Sequence, residues 1–330
     1  MPPHRIVVLD AHAIDLAELS WSCLDRLGRV ELHPRSAGCV VDHARGAPLV
    51  LTNKAVLDRA TFEALPELRY VGLLSTGTNV VDLEAAHARG VVVTNVPDYA
   101  ARSVAQHVFA LLLAHTNRVA EHARAVAEGA WAASPDFSFT VAPLRELAGR
   151  TLGVVGLGSI GRLVAELGVA HGMRVIAARP RPDAPAPRTD LAAAVERVPL
   201  DELFAAADVL SLHCPLVPET RQLVDARRLA LMKPDAVLVN TARGGLVDEA
   251  AVRAELDAGR LGAVLLDVLS VEPPVLGSPL LGAPRCVVTP HVAWATREAR
   301  ARLIERAAAN VEAFLAGRPR NVVAGPGSGR

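Results

Sequence analysis

An α/β fold with two doubly wound parallel-sheet domains is what this sequence predicts, and three observations predict it. Short β-branched apolar runs alternate with Ala-, Leu- and Arg-rich helical stretches, the pattern of βαβ units. That pattern runs through the first hundred residues and restarts more strongly at Thr151. The chain has 330 residues, room for two domains at about 100–200 residues each, and 51% of it is hydrophobic. With aromatics at 3%, the cores must be built from Ala, Val and Leu.

Taken in order, the first half predicts strands at residues 6–9, 49–52, 70–74 and 91–94, with helices at 54–65 and 82–89 between them. Residues 103–114 form an apolar helix of the kind buried between domains or subunits. Residues 131–143 are an irregular connection. The second half predicts strands at 151–157, 174–178, 209–213, 236–240, 264–268 and 286–289, with helices at 160–171 and 249–259. A long helix follows at 296–315, and the Gly/Ser/Pro-rich tail 322–330 is expected to be disordered. The Pro/Arg run 179–188 is expected to be a surface loop.

Bulk chemistry excludes several functions. The formal net charge is +0, so no single-sign field supports a general nucleic-acid or membrane-surface binder. Cys23, Cys39, Cys214 and Cys286 are scattered without a C-x-x-C pair, which predicts reduced thiols rather than a disulfide framework or a metal site. The N-terminus lacks a signal-peptide apolar segment, and no run of about 18 apolar residues occurs. The expected setting is cytoplasmic and soluble.

Gly156, Gly158 and Gly161 form a G-x-G-x-x-G run that follows a β-branched strand and opens a helix. The first glycine permits a tight turn, the second lets a pyrophosphate approach the backbone, and the third allows close helix–strand packing. The helix N-terminus offers N–H groups and partial positive charge to the phosphates. Together these predict a Rossmann-type dinucleotide site. About 20 residues further on, an NAD site carries an acid for the ribose 2′-hydroxyl. Here Arg179 and Arg181 stand at that turn and no carboxylate does. Guanidinium binds a 2′-phosphate, so NADP(H) is the expected preference, with NAD(H) still usable.

Three polar signals each follow an apolar strand: Asn240 to Gly245, Asp267 with Glu272, and Thr289-Pro290-His291. In an open parallel sheet all would emerge at the carboxyl edge, where ligands bind. Arg243 suits binding and polarising a 2-oxo acid. His291 suits protonation of the developing alkoxide near neutral pH. Glu272 would favour the imidazolium and set the tautomer.

These motifs, together with His213-Cys214-Pro215-Leu216 and Met232-Lys233-Pro234, resemble in order and spacing the D-isomer-specific 2-hydroxyacid dehydrogenase family, from about Pro48 to about Leu315. The resemblance implies that Arg243, Glu272 and His291 are catalytic. It implies a cofactor cleft lined by Ser159, Ile160, Cys214, Pro215 and Thr220, and by Thr241, Ala242, Asp267 and Ala293. It also implies a discontinuous, flavodoxin-like substrate domain of residues 1–98 and 293–330 around a cofactor domain of residues 99–292, and a homodimer.

Residues 51–54, 74–82, 93–97 and 289–295 are similar to the glycerate dehydrogenase/hydroxypyruvate (glyoxylate) reductase branch. By that likeness Asn53, Thr76 and Gly77 join Arg243 and His291 in holding a small 2-oxo acid. Thr78 departs from the Tyr often found in this branch, and Arg179 departs from the acid of NAD-using members. The alternatives are the same chemistry on another acid, such as a phosphoglycerate or a lactate-type acid, or a non-catalytic NAD(H)-sensing corepressor-like protein.

Overall fold

The computed structural model describes residues 4–15, 18–178 and 195–326, and statements of structure refer to these. The chain divides into two compact units, Met1–Ala100 with Trp294–Arg330, and Ala101–Ala293. Labels follow chain order. The first segment contains β1 (His4–Val8), α1 (Ser22–Asp25), β2 (Gly28–Leu32), α2 (Val40–Ala44), β3 (Leu49–Thr52), α3 (Arg59–Ala64), β4 (Tyr70–Leu73), α4 (Leu83–Ala88) and β5 (Val92–Thr94). The central unit contains α5 (Ala101–Asn117), α6 (Val119–Ala127), β6 (Thr151–Val155), α7 (Ser159–Ala170), β7 (Arg174–Ala178), β8 (Val195–Val198), α8 (Leu200–Ala206) and β9 (Val209–Leu212). It continues with α9 (Ala226–Leu229), β10 (Val237–Asn240), α10 (Glu249–Asp257), β11 (Ala263–Leu266) and β12 (Cys286–Val288). The chain then returns to the first unit as α11 (Arg297–Leu315) and β13 (Val322–Ala324).

In the first unit a 6-stranded sheet has the order β13-β5-β4-β3-β1-β2. Its strands pair in parallel except β13, which is antiparallel to β5. This is the flavodoxin-like order with one added edge strand, and the switch point lies between β1 and β3. In the central unit a 7-stranded sheet runs β12-β11-β10-β9-β6-β7-β8, the Rossmann order extended by β12. Its switch point lies between β6 and β9.

Both faces of the central sheet are covered. Leu210, Leu238 and Val264 point into one apolar cluster, and their strand neighbours Val209, Val237, Val239 and Leu265 point into another. That is why β6, β9, β10 and β11 are buried at every position and are legible as unbroken apolar runs. Side-chain caps set where many helices begin. Asp58, Asp82, Asp225, Asp248 and Thr296 each accept a first-turn N–H of the helix that follows, each cap being worth about 1 kcal/mol.

Three expectations are corrected. The helix expected from residue 54 begins at Arg59, because the amides of residues 53–55 are tied to Asp10 and Asp58 caps the helix. The expected disordered tail carries β13, in which Val322 and Ala324 pair with β5, a partner far away in sequence and so without a local signal. β2 and β8 are additional strands whose partly exposed, charged positions hide the apolar run. The apolar helix α5 packs on α7 of its own unit, where Phe109 stacks on the His171 ring at 4.8 Å. The Arg179–Arg181 turn and the expected 179–188 loop lie outside the described residues.

Candidate active site

The glycine turn joins β6 to α7 at the central switch point. Gly156 has φ +98°, and a Cβ there would lie 2.8 Å from the carbonyl oxygen of His213, where β9 ends. A Cβ on Gly161 would lie 1.9 Å from the Gly156 carbonyl oxygen, so the helix can seat this close only as glycine. Gly158 differs: its added Cβ would meet nothing within 4 Å. It is the N-cap of α7 and provides no side-chain cap, so the first amides, at Ser159 and Ile160, open the helix uncapped by it. Open space in front of a helix N-terminus suits a pyrophosphate.

Further along the same edge, the Thr241 hydroxyl is buried and has no hydrogen-bond partner among the described residues. A buried polar atom left unpaired is costly, and a bound polar group would satisfy it. These residues therefore fit a dinucleotide. Other residues expected at the cleft have tasks in the loops themselves. Thr220 Oγ1 donates to the Pro215 carbonyl at 2.7 Å and accepts the Val217 N–H at 2.9 Å, closing the turn that follows Cys214. His213 bonds Ser211 Oγ at 2.8 Å, and burial pushes its imidazole down to about 3, so it is neutral.

The chemical residues come from three neighbouring strand ends. After β10, Asn240 Oδ1 accepts the Ala242 N–H at 3.0 Å and its amide donates to the Arg243 carbonyl at 2.8 Å, fixing the turn. The half-buried Arg243 guanidinium donates to the Ala242 carbonyl at 2.7 Å, and no carboxylate among the described residues pairs with it. After β11, Glu272 Oε1 accepts the Leu269 N–H at 2.9 Å. After β12, His291 stands at φ +56°, left-handed for a non-glycine residue.

His291 Nδ1 lies 2.5 Å from Glu272 Oε2, with the two side chains 31% and 32% exposed. A carboxylate can only accept, so Nδ1 carries the proton and donates. Nε2 is then the ring position left for proton exchange with a ligand. Asp267 is 1% exposed and accepts the Thr289 hydroxyl at 2.6 Å and the N–H groups of Val292 at 2.9 Å and Ala293 at 2.7 Å. Its carboxylate thus shapes the turn that carries His291. Among the described residues no group of three or more His, Cys, Asp or Glu could hold a metal.

The first unit builds its carboxyl edge differently. Asp10, at the end of β1, accepts the N–H groups of Asn53 at 2.8 Å and Ala55 at 2.9 Å, and that of Lys54. Asn53 donates to the Leu74 carbonyl, and its own Oδ1 is buried and unpartnered among the described residues. Ser75 donates to the Gly77 carbonyl at 2.6 Å, Thr76 to the Val96 carbonyl at 2.9 Å, and Asn95 to the Thr76 carbonyl at 2.7 Å. Asp10 was not among the residues expected from sequence, although one clue was present, a lone acid directly after an apolar strand. Ser103 and His107, four residues apart on a largely apolar helix, were missed as well.

A G-x-G-x-x-G turn at a Rossmann switch point, on the edge that bears a paired His and Glu and an Arg with no carboxylate partner among the described residues, defines a nicotinamide-dependent dehydrogenase. The chain belongs to the D-isomer specific 2-hydroxyacid dehydrogenase family, oxidoreductases of the 2-oxo/2-hydroxy acid couple, and the family's NAD binding domain matches residues 109–293. It is similar to a hydroxypyruvate reductase of Blautia hydrogenotrophica, 40% identical over 97% of this chain and 99% of that protein. It is also similar to a glycerate dehydrogenase of Methylorubrum extorquens, 39% identical over 86% of this chain and 88% of that one. Among solved structures, the TT0316 protein from Thermus thermophilus is similar, with a TM-score of 0.83 and 37% identity over 97% of this chain and 99% of that chain. No helix among the described residues is long and apolar enough to cross a membrane.

Proposed function

We propose that this protein reduces hydroxypyruvate and glyoxylate to D-glycerate and glycolate. The observation that carries this reading is the His291–Glu272 pair at 2.5 Å on the edge that also bears Arg243. When bound, the reduced nicotinamide supplies the hydride that goes to C2 of the 2-oxo acid. Arg243 binds the acid through its guanidinium and polarises the C2 carbonyl. The backbone N–H groups around Thr76 and Gly77 receive the substrate carboxylate, with Asn53 beside them. His291 Nε2 delivers a proton to the C2 oxygen as the C–H bond forms, so one hydride and one proton convert the carbonyl to the alcohol. Glu272 stabilises the charged imidazolium from which that proton comes. The hydroxymethyl substituent is inferred from the likeness to the two relatives above, and the hydrogen of glyoxylate from the branch resemblance of residues 51–54, 74–82, 93–97 and 289–295.

The same reading extends to the cofactor, the setting and the assembly. NADP(H) is preferred and NAD(H) is used, because in sequence Arg179 and Arg181, rather than an acid, come directly after β7, which ends at Ala178. The protein works in the cytoplasm, on a small molecule rather than on nucleic acid or a membrane. It works as a homodimer, supported by apolar side chains left exposed on and after α6: Val119 at 66%, Trp131 at 51% and Phe137 at 93%.

Initial rates near pH 7 test the reading, with hydroxypyruvate, glyoxylate and pyruvate each against NADPH and NADH. Fast NADPH oxidation with the first two is expected. Preference for pyruvate, or no oxidation of either cofactor, overturns it. Arg179→Asp is expected to lower the NADPH-to-NADH ratio of kcat/KM. An unchanged ratio removes Arg179 from the cofactor site.

A further inference from the structure

The turn that carries His291 is anchored by a helix with no part in the chemistry above. Ser103 and His107 lie one turn apart on α5 and so share a face. Ser103 Oγ donates to the Ala293 carbonyl at 2.5 Å. His107 Nε2 lies 3.0 Å from Thr289 Oγ1. The Thr289 hydroxyl has one proton, and the nearer acceptor is Asp267 Oδ1 at 2.6 Å, against 3.2 Å for the Leu266 carbonyl. The Thr289 oxygen is therefore the acceptor toward His107, and His107 Nε2 must carry a proton.

The result is a clamp around one residue. Thr289 is held on one side of His291, and Val292 and Ala293 on the other, by Asp267 and α5 together. His291 itself stays at φ +56°, a left-handed conformation that an ordinary residue keeps only where its surroundings hold it. Ser103 is buried, and polar groups on a buried helix face are costly unless they are paired. Both are paired to the same five-residue turn.

We propose that Ser103 and His107 are positioning residues for His291. Acting through Ala293, Thr289 and Asp267, they hold the left-handed turn that keeps His291 Nδ1–H on Glu272 and leaves Nε2 for the substrate oxygen. This rests on the acid/base role of His291 proposed above. Among the described residues, Asp267, Glu272 and His107 are ionisable groups bonded to this turn or to its histidine.

The test compares His107→Ala, His107→Gln and Ser103→Ala. His107→Ala is expected to lower kcat on the order of 10- to 100-fold, the scale of a misplaced catalytic group, with KM for the acid and the cofactor near wild type. His107→Gln keeps an N–H within reach of Thr289 and is expected to recover most of the loss. A second readout needs no turnover: the His291 Nδ1–H proton resonance. It is expected in the wild type and in His107→Gln, and to be broadened by exchange in His107→Ala. Unchanged kcat and resonance in His107→Ala, or equal losses in Ala and Gln, overturn the proposal. If His107→Ala does not fold, Ser103→Ala decides, with a smaller fall in kcat and a broadened resonance expected; no change in either overturns it. A wild type that reduces no 2-oxo acid defeats the functional reading, while the resonance still judges the clamp.

Discussion

The carboxyl edges of the two sheets use polar residues in opposite ways. On the central sheet, Arg243, Glu272 and His291 keep their functional atoms at the surface of the edge, and the His–Glu bond itself sets a tautomer. On the first sheet, Asp10, Ser75, Thr76 and Asn95 consume their side chains on neighbouring backbone. In the proposed function one edge moves a proton and counters a charge. The other is built to make loops rigid, so that backbone groups hold a fixed direction. The difference teaches that main-chain groups are given a fixed direction by side chains placed one layer behind them.

The largest test of this contrast is His291→Ala. It is expected to lower kcat by about 10²–10⁴, the range for loss of a general acid/base, in steady-state assays with a 2-oxo acid. Near-normal turnover would place the proton donor elsewhere. Asp10→Ala probes the other edge. Removing a carboxylate that takes three amides frees residues 53–55, so KM for the acid is expected to rise about tenfold while kcat falls less. A collapse of kcat matching that of His291→Ala would erase the distinction between the edges.

The smallest expected effect is on stability. The folded-state pKa of His213 is pushed down to about 3 by burial, below the ordinary value of 6.5. Between those values the unfolded chain binds a proton that the folded chain refuses, so stability falls as pH drops below about 6.5 and continues to fall toward 3. Burial lowers His33 and His115 as well, which adds to the same trend. Urea midpoints at pH 7 and pH 5 are expected to differ less in His213→Gln than in the wild type. An equal difference would show that the ring gains no proton on unfolding.

Legibility followed burial. β3 and β7 lie where their apolar runs place them, and β6, β9, β10 and β11 are each buried on both faces. β2 alternates Arg29 and Glu31 with half-buried neighbours at a sheet edge, so its sequence carries no continuous run. α6 buries no residue: Val119 and Val126, which would mark its apolar face, are exposed. The site follows a different rule. Glu272 and His291 stand out because each follows a strand with a chemically apt side chain. Asp10, Ser103 and His107 act through other residues, and only three-dimensional distance connects His107 to Thr289, 182 positions away.

The first unit is made of two segments separated by the whole central unit. Its core depends on the later segment: Leu303, Ile304, Ala307 and Val311 of α11 are buried, and β13 completes the sheet edge. A ribosome delivers the chain in order, so residues Ala101–Ala293 are complete before the first unit has all its parts. During synthesis the β5 edge must therefore wait for β13, and the first unit for α11, while the central unit is made. The consequence is an inverted order of maturation, in which the half of the protein begun first is finished last.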